Sequence, residues 1–253
     1  MEGAKTESGH VESGGLEVLY EDPALLIVAK PIKLHTAPLS EGETNTLQAL
    51  VLALFPEVAE VPGIKPMEHG LLHRLDRETS GVVVIARTVR AFEVLRAQFA
   101  GQEVEKEYCA ICECQTGMHA GERFSIQSRF SALGPGRRAV RVLKPERMHR
   151  KPARKATREV YLTEAKLERL QGERGLVRAI IRKGFRHQIR AHLAHEGLPI
   201  FGDALYGIPT PPGVPRRMYL HASSISFVHP DTGKPLRVCS ILPEAFTMIL
   251  ESR

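Results

Sequence analysis

Short apolar runs punctuated by turn residues dominate the first third of the chain. "LEVLYED" and "ALLIVAKP" are split by Pro23, and this predicts two strands joined by a tight turn. In "NTLQALVLALF" the spacing becomes helical, with Asn45 or Thr46 as N-cap and Pro56 as the stop. Val82–Ala86 is an unbroken apolar run, the pattern of a strand buried on both faces. Thr88 then caps a helix through "VRAFEVLRAQF", whose positions Ala91, Val94, Leu95, Gln98 and Phe99 lie near a 3.6 period and which Gly101 stops. "EVEKEYCAICE" returns as a strand.

Farther along, "REVYLTEAKLERL" and "GLVRAIIRKG" read as strands, "RHQIRAHLAHEG" as a helix ending at Gly197, and "LPIFGDALYG" as a loop. "RMYLHASSISFVHP" and "LRVCSI" are strands on either side of the turn "PDTGKP", and a short last helix starts at Pro243. Strands outnumber helices, they do not alternate strictly, and no repeat of fixed period is present. The pattern argues for an α+β fold around one mixed or antiparallel sheet with flanking helices and loops. Residues 1–15 form a polar tail, expected to be disordered. Residues 16–253 are expected to form a single catalytic domain carrying a basic segment at about 136–160.

Composition narrows the classes. Apolar residues make up 43% of the 253, enough for a core. No run of about 18 apolar residues is present, so no membrane span is expected. The tail has neither the apolar stretch of a signal peptide nor the arginine bias of a transit peptide. The net charge of +6 is concentrated in "GRRAVRVLKPERMHRKPARKATREV", Gly136 to Val160. A basic block of this kind is either a solvated loop or the footprint of a nucleic-acid binder. Aromatics are only 6% and Trp is absent, which argues against platforms for stacking single strands and for structured RNA or duplex backbone. Four cysteines make no disulfide scaffold, and a reducing, cytoplasmic setting is expected. Cys109, Cys112 and Cys114 read as reduced thiols of one strand, with Cys112 and Cys114 on one face and Cys109 on the other.

One carboxylate stands out. In "HGLLHRLDRETSGVVVIAR", Asp76 lies between Arg74 and Arg77, just before the buried strand. Neighbouring guanidinium groups favour the charged form of a carboxylate. An ionised carboxylate without a partner acid suits nucleophilic attack better than acid catalysis. No second acid is paired with it, so the two-carboxylate pattern of glycosidases is missing. Phosphate-cradling glycine motifs are missing too. "EHGLLH" and "HLAH" space two histidines each but lack a third metal ligand. Neither a metal nor a cofactor is expected.

The motifs resemble those of the RluA-type RNA pseudouridine synthases. "HRLDRETSG" is similar to their nucleophile motif, "EKEYCA" to their second motif, and "GFRHQIRAHLAHEGLPIFGDALYG" to their third; "LHASSISFVHP" matches their C-terminal strand. The resemblance runs from about Leu16 to Phe246. It implies that Asp76 is the catalytic carboxylate, attacking or deprotonating the ribose of a target uridine. It implies that Tyr108 stacks on the uracil and takes the C5 proton, and that Arg190 pairs with Asp76. His73, Arg74, Arg77, His187, Gln188 and Ile189 become the substrate-binding set, with Arg74 placed to fill the stack that the flipped base vacates. Where the family commonly has Gly-Arg-Thr, this chain has Gly184, Phe185 and Arg186. No S4-like RNA-binding domain is expected ahead of the catalytic part, and Arg150, Lys151, Arg154 and Lys155 of the basic segment are expected to dock RNA. The expected partner is ribosomal or transfer RNA, met by a monomer. The alternatives are an inactive RNA-binding module or RNA chaperone on the same fold, or another covalent-aspartate enzyme such as a hydrolase. The hydrolase would want an activating acid or metal that the sequence does not offer.

Overall fold

The computed structural model describes residues 11–13, 15–143 and 156–252. Two compact units emerge: residues 1–104 with 224–240, and residues 105–223 with 241–253.

In the first unit, β1 (Val11–Ser13) pairs antiparallel with β2 (Leu16–Glu21), and β2 pairs with β3 (Leu25–Lys30) as a hairpin. The turn is built by Asp22, whose Oδ1 accepts the backbone N–H of Ala24 at 2.8 Å and of Leu25 at 2.7 Å. An aspartate that bonds the backbone two and three residues on mimics a turn in its own side chain. Strand β4 (Ser80–Ala86) lies antiparallel to β3, with Ile27 opposite Val84, and every residue of it is buried. That accounts for its unbroken apolar run. Helix α1 (Leu47–Leu54) starts at Thr46, which accepts the Ala49 N–H at 3.1 Å. Helix α2 (Val89–Ala100) starts at Thr88, which accepts the Ala91 N–H at 3.1 Å.

Helix α2 ends at Gly101 and buries Gln98, as the sequence pattern predicts. Gly101 caps it in a right-handed conformation, and the left-handed residue is Gln102 at φ 61°. Gln98 sits on the buried face because both ends of its amide are bonded: Nε2 donates to the Val228 carbonyl at 2.7 Å and Oε1 accepts the Val228 N–H at 2.9 Å. Val228 ends β10 (Leu220–Val228), whose later half pairs antiparallel with β11 (Pro235–Cys239).

The second unit is an antiparallel sheet. Its neighbours run β5 (Glu105–Glu113), β9 (Arg174–Ile181), β8 (Tyr161–Gln171), β6 (Arg123–Leu133), β7 (Ala139–Leu143). Helices α3 (Gln188–His195) and α4 (Glu244–Glu251) complete it. The fold is α+β, as the element pattern predicts. Cys109, Cys112 and Cys114 are free and buried. Burial pushes all three thiols up, Cys114 to about 11, which leaves them inert as nucleophiles.

A buried polar network fixes α3 to this sheet. His192 Nε2 lies 2.7 Å from Ser128 Oγ, and its Nδ1 lies 2.8 Å from Thr163 Oγ1. All three residues are fully buried, and the imidazole stacks on Phe130 at 4.9 Å. Burial, with a lesser push from His195, lowers the imidazole to about 4. The unfolded chain takes up this proton near the ordinary value of about 6.5, whereas the folded one does so only near 4. Stability from His192 is therefore complete above about pH 6.5 and is lost as pH falls toward 4. Between pH 6.5 and 5 the wild type should lose on the order of 2 kcal/mol more than His192→Asn in urea unfolding. Equal losses in both proteins would refute this.

Candidate active site

Asp76 is held by its backbone. Residues 70–72 run along β4, with Ala86 N–H donating to the Gly70 carbonyl at 2.8 Å and Leu72 N–H to the Val84 carbonyl at 3.3 Å. Gly70 has φ 67°, and a Cβ there would meet the Ala86 oxygen at 2.4 Å, so only glycine fits this close approach. Farther on, Thr36 Oγ1 accepts the Leu75 N–H at 3.1 Å and donates to the Leu75 carbonyl at 2.9 Å. The Asp76 carbonyl accepts the Thr79 N–H at 3.0 Å and closes a turn. Lys30, 1% exposed, donates to the carbonyls of Pro31 at 2.7 Å, Leu34 at 2.8 Å and Arg77 at 3.3 Å. The half-buried Asp76 thus sits in a turn pinned on both sides, at the N-terminal end of a rigid strand.

Its neighbours are already engaged. His73 Nε2 accepts the Val84 N–H at 3.2 Å, and its ring stacks on Phe99 at 5.6 Å. Arg74, 44% exposed, pairs at 3.0 Å with the buried Glu68. Arg77 pairs with Glu78 at the surface.

In the second unit, Tyr108 is buried in β5 opposite Ala179 of β9. Lys106 stands two residues earlier on the same face, and burial pushes its amine down to about 8. Arg190 is on α3. Its Nε and Nη2 each reach an oxygen of Asp203 at 2.7 Å, a bidentate pair with both partners buried. Asp203 Oδ1 also accepts the N–H groups of Leu205 at 2.9 Å and Tyr206 at 3.2 Å. Burial alone would raise this carboxyl. The Arg190 hydrogen bonds and charge, with the two backbone N–H groups, outweigh burial and hold it below its ordinary value. The loop that carries it turns at Gly202, φ 73°, where a Cβ would overlap the Arg217 oxygen at 1.8 Å.

The sequence pointed to Arg190 and missed Asp203. The signal stood in "FGDALYG", an aspartate set between glycines in the third motif. Of the other residues of that motif, Gln188 spends its amide inside the fold. Its Oε1 accepts the Phe185 N–H at 2.9 Å, and its Nε2 donates to the Leu162 carbonyl at 2.9 Å and to Thr163 Oγ1 at 3.1 Å. Ile189 is buried. His187 starts α3 in a left-handed conformation, with Nδ1 3.0 Å from the Tyr206 hydroxyl. Phe185 stacks on Phe130 at 4.9 Å and packs on Tyr161 at 5.1 Å. The departure from the family's arginine therefore has a packing reason: this position feeds an aromatic cluster. Arg150, Lys151, Arg154 and Lys155 lie outside the described residues. Among the described residues, no three His, Cys, Asp or Glu side chains cluster to hold a metal ion. No helix among them is long and apolar enough to cross a membrane.

Comparison with known proteins agrees with the motifs. Ribosomal large subunit pseudouridine synthase D of Xanthomonas campestris pv. campestris is 30% identical over 259 residues, covering 94% of this chain and 69% of that protein. The protein of the same name from Pseudomonas aeruginosa is 30% identical over 260 residues, covering 93% and 71%. Among solved structures, Human RNA Pseudouridylate Synthase Domain Containing 1 superposes with a TM-score of 0.64 at 22% identity, covering 95% of this chain and 90% of that one. Human RNA Pseudouridylate Synthase Domain Containing 4 gives 0.65 at 22% identity, covering 92% and 91%. At that identity the likeness is one of fold. Residues 24–195, which carry the first two motifs and the first half of the third, match the RNA pseudouridylate synthase family, and the chain belongs to it.

Proposed function

We propose that this RNA pseudouridine synthase isomerises specific uridines of structured RNA with Asp76 as its catalytic carboxylate. The N1–C1′ bond of the target uridine breaks, the base turns, and C5 bonds to C1′ in its place. Atoms balance without a co-reactant, because the C5 proton is released as N1 regains one. Asp76 either attacks C1′ or takes a ribose proton; both routes need a carboxylate held still. Tyr108 stacks on the uracil and accepts the C5 proton. Arg190 supplies the positive charge that orients the reacting groups. The observation that carries the reading is the third motif's buried Arg190–Asp203 pair. Such a pair is costly to bury unless its geometry is tightly held, and here it fixes a cation in a motif that the family's first and second motifs precede in order.

The names of the relatives favour ribosomal large-subunit RNA as the substrate, with transfer RNA as the second candidate. The exposed Arg74 and Arg77 are taken to face the RNA, with His73, His187, Gln188 and Ile189 shaping the backbone around it. Residues 16–253 act as one catalytic domain. On this proposal the enzyme is a cytoplasmic monomer that needs no metal or cofactor. Carbodiimide adduct mapping of RNA from cells lacking the protein tests it, since pseudouridine and uridine have equal mass. One or a few adduct positions should vanish, and return with the wild-type protein. An unchanged map would favour the inactive RNA-binding module.

The basic segment should carry affinity. Phosphate contacts release counterions, so binding should weaken by roughly 0.7 to 0.9 log units per contact per log unit of salt. Changing Arg150, Lys151, Arg154 and Lys155 together to alanine should flatten that slope by roughly two to four units if two or more of them touch phosphate. A solvated loop predicts no change in slope, and RNA binding measured at several salt concentrations decides between them.

A further inference from the structure

We propose that Tyr206 is a positioning residue for Arg190, acting through its ring and its hydroxyl at once. The inference rests on the reading above, in which Arg190 serves the reaction. Three observations within the second unit converge on this side chain. Its ring centre lies 5.3 Å from the Arg190 guanidinium carbon, covering a cation that Asp203 already grips along one edge. A ring face over a guanidinium attracts it through the ring quadrupole, and more strongly away from water. Asp203 fixes the guanidinium by hydrogen bonds in one plane, and the ring limits its movement out of that plane.

The hydroxyl does separate work. It accepts the Val140 N–H at 2.6 Å and lies 3.0 Å from His187 Nδ1. A consistent chain of donors runs from the Val140 N–H to the Tyr206 oxygen, and from the Tyr206 O–H to the imidazole. His187 is the residue that begins α3, and it has φ 57°. A side-chain-bearing residue in that region is uncommon and persists only where surrounding contacts hold it. The hydroxyl is such a contact, made to the N-cap residue of α3 three positions before Arg190. Val140 is the second residue of β7, so the same oxygen ties the start of the basic segment to the start of α3. Arg186 adds a second tie, with Nη2 3.4 Å from the Ala139 carbonyl. Tyr206 also packs on the cluster of Phe130, Val140, Tyr161 and Ala191, which anchors its ring.

Phenylalanine removes the hydroxyl and keeps the ring, and alanine removes both. In single-turnover assays with saturating RNA, Tyr206→Phe should slow isomerisation about tenfold and Tyr206→Ala about a hundredfold, while the dissociation constant for RNA stays within twofold in both. A residue that contacts RNA would instead raise the dissociation constant and leave the saturated rate intact. A residue needed only for folding would lower the active fraction, seen by titrating active sites, without slowing the enzyme that remains. Either result overturns the proposal, as does a wild-type rate in Tyr206→Phe together with Tyr206→Ala. Arg190→Ala is the control: if it turns over like the wild type, the reading of Arg190 has failed, and the Tyr206 result is judged only after that control shows a loss.

Discussion

Asp76→Asn binds RNA as tightly as the wild type and converts no uridine. The two side chains are nearly isosteric, and the backbone that carries them is fixed independently of the carboxylate. Thr36 clasps both polar groups of Leu75, the Thr79 N–H closes the turn onto the Asp76 carbonyl, and Lys30 holds the carbonyl of Arg77. The variant should therefore fold, with a melting temperature within a few degrees of the wild type. What disappears is the charge. A neutral amide neither attacks a sugar carbon nor accepts a proton from it, so the single-turnover rate should drop by at least about three orders of magnitude. Filter binding gives the affinity, and carbodiimide mapping of the product gives the conversion. Residual turnover within tenfold of wild type would remove Asp76 from the catalytic role and reopen the search among the acids of the first unit.

Local chemistry was legible where one residue decides an outcome. Thr46 and Thr88 announce their helices because a side-chain oxygen can satisfy the orphaned N–H groups of a first turn. Val82–Ala86 announces a buried strand because nothing polar interrupts it. The three motifs were legible together, since each alone is short and only their order and gaps make a signal. Strand β6 was not, because "RFSIQSRFSAL" buries only Ile126, Ser128 and Phe130 between polar neighbours. Strand β7 is hidden for a similar reason: Val140 is its buried residue, set among arginines that mark the stretch as surface. Partners distant in the chain were beyond reach. Nothing local says that Lys30 will serve the turn after Asp76, 47 residues on, or that Gln98 will close on Val228. Phe185 looked like a lost cation and is a gained aromatic contact, a distinction that needs Phe130 and Tyr161 in view.

Asp203→Asn tests the least legible part of the site, and its effect should be large on stability as well as on rate. Arg190 stays charged at every pH at which the protein folds. With Asp203 neutral, the buried guanidinium keeps its desolvation cost and loses that carboxylate's charge, a loss of roughly 3 to 5 kcal/mol. The asparagine makes matters worse locally. Its amide nitrogen must face one of the two guanidinium N–H donors, and two donors cannot bond. Denaturant unfolding at pH 7 should show the loss directly. The acid side has a definite sign. Because the Asp203 carboxyl is held below its ordinary value, its contribution is complete above about pH 4 and is lost as pH falls through the folded value. The wild type should therefore lose stability below about pH 4 more steeply than Asp203→Asn, in which that titration is absent. A poorly folded variant would leave the rate uninterpretable, and a second protein deals with that. Replacing both partners by apolar residues of similar volume, Arg190→Met with Asp203→Leu, removes the buried guanidinium charge as well as the pair. Buried ion pairs exchanged in this way often keep or gain stability. The double variant should regain most of the loss while remaining at least about a hundredfold slower than wild type at saturating RNA, the scale on which an electrostatic contact in a transition state is felt. Recovery of stability together with rate would mean that the pair only fills space. A single variant as stable as the wild type would mean that Asp203 does not carry the charge of Arg190.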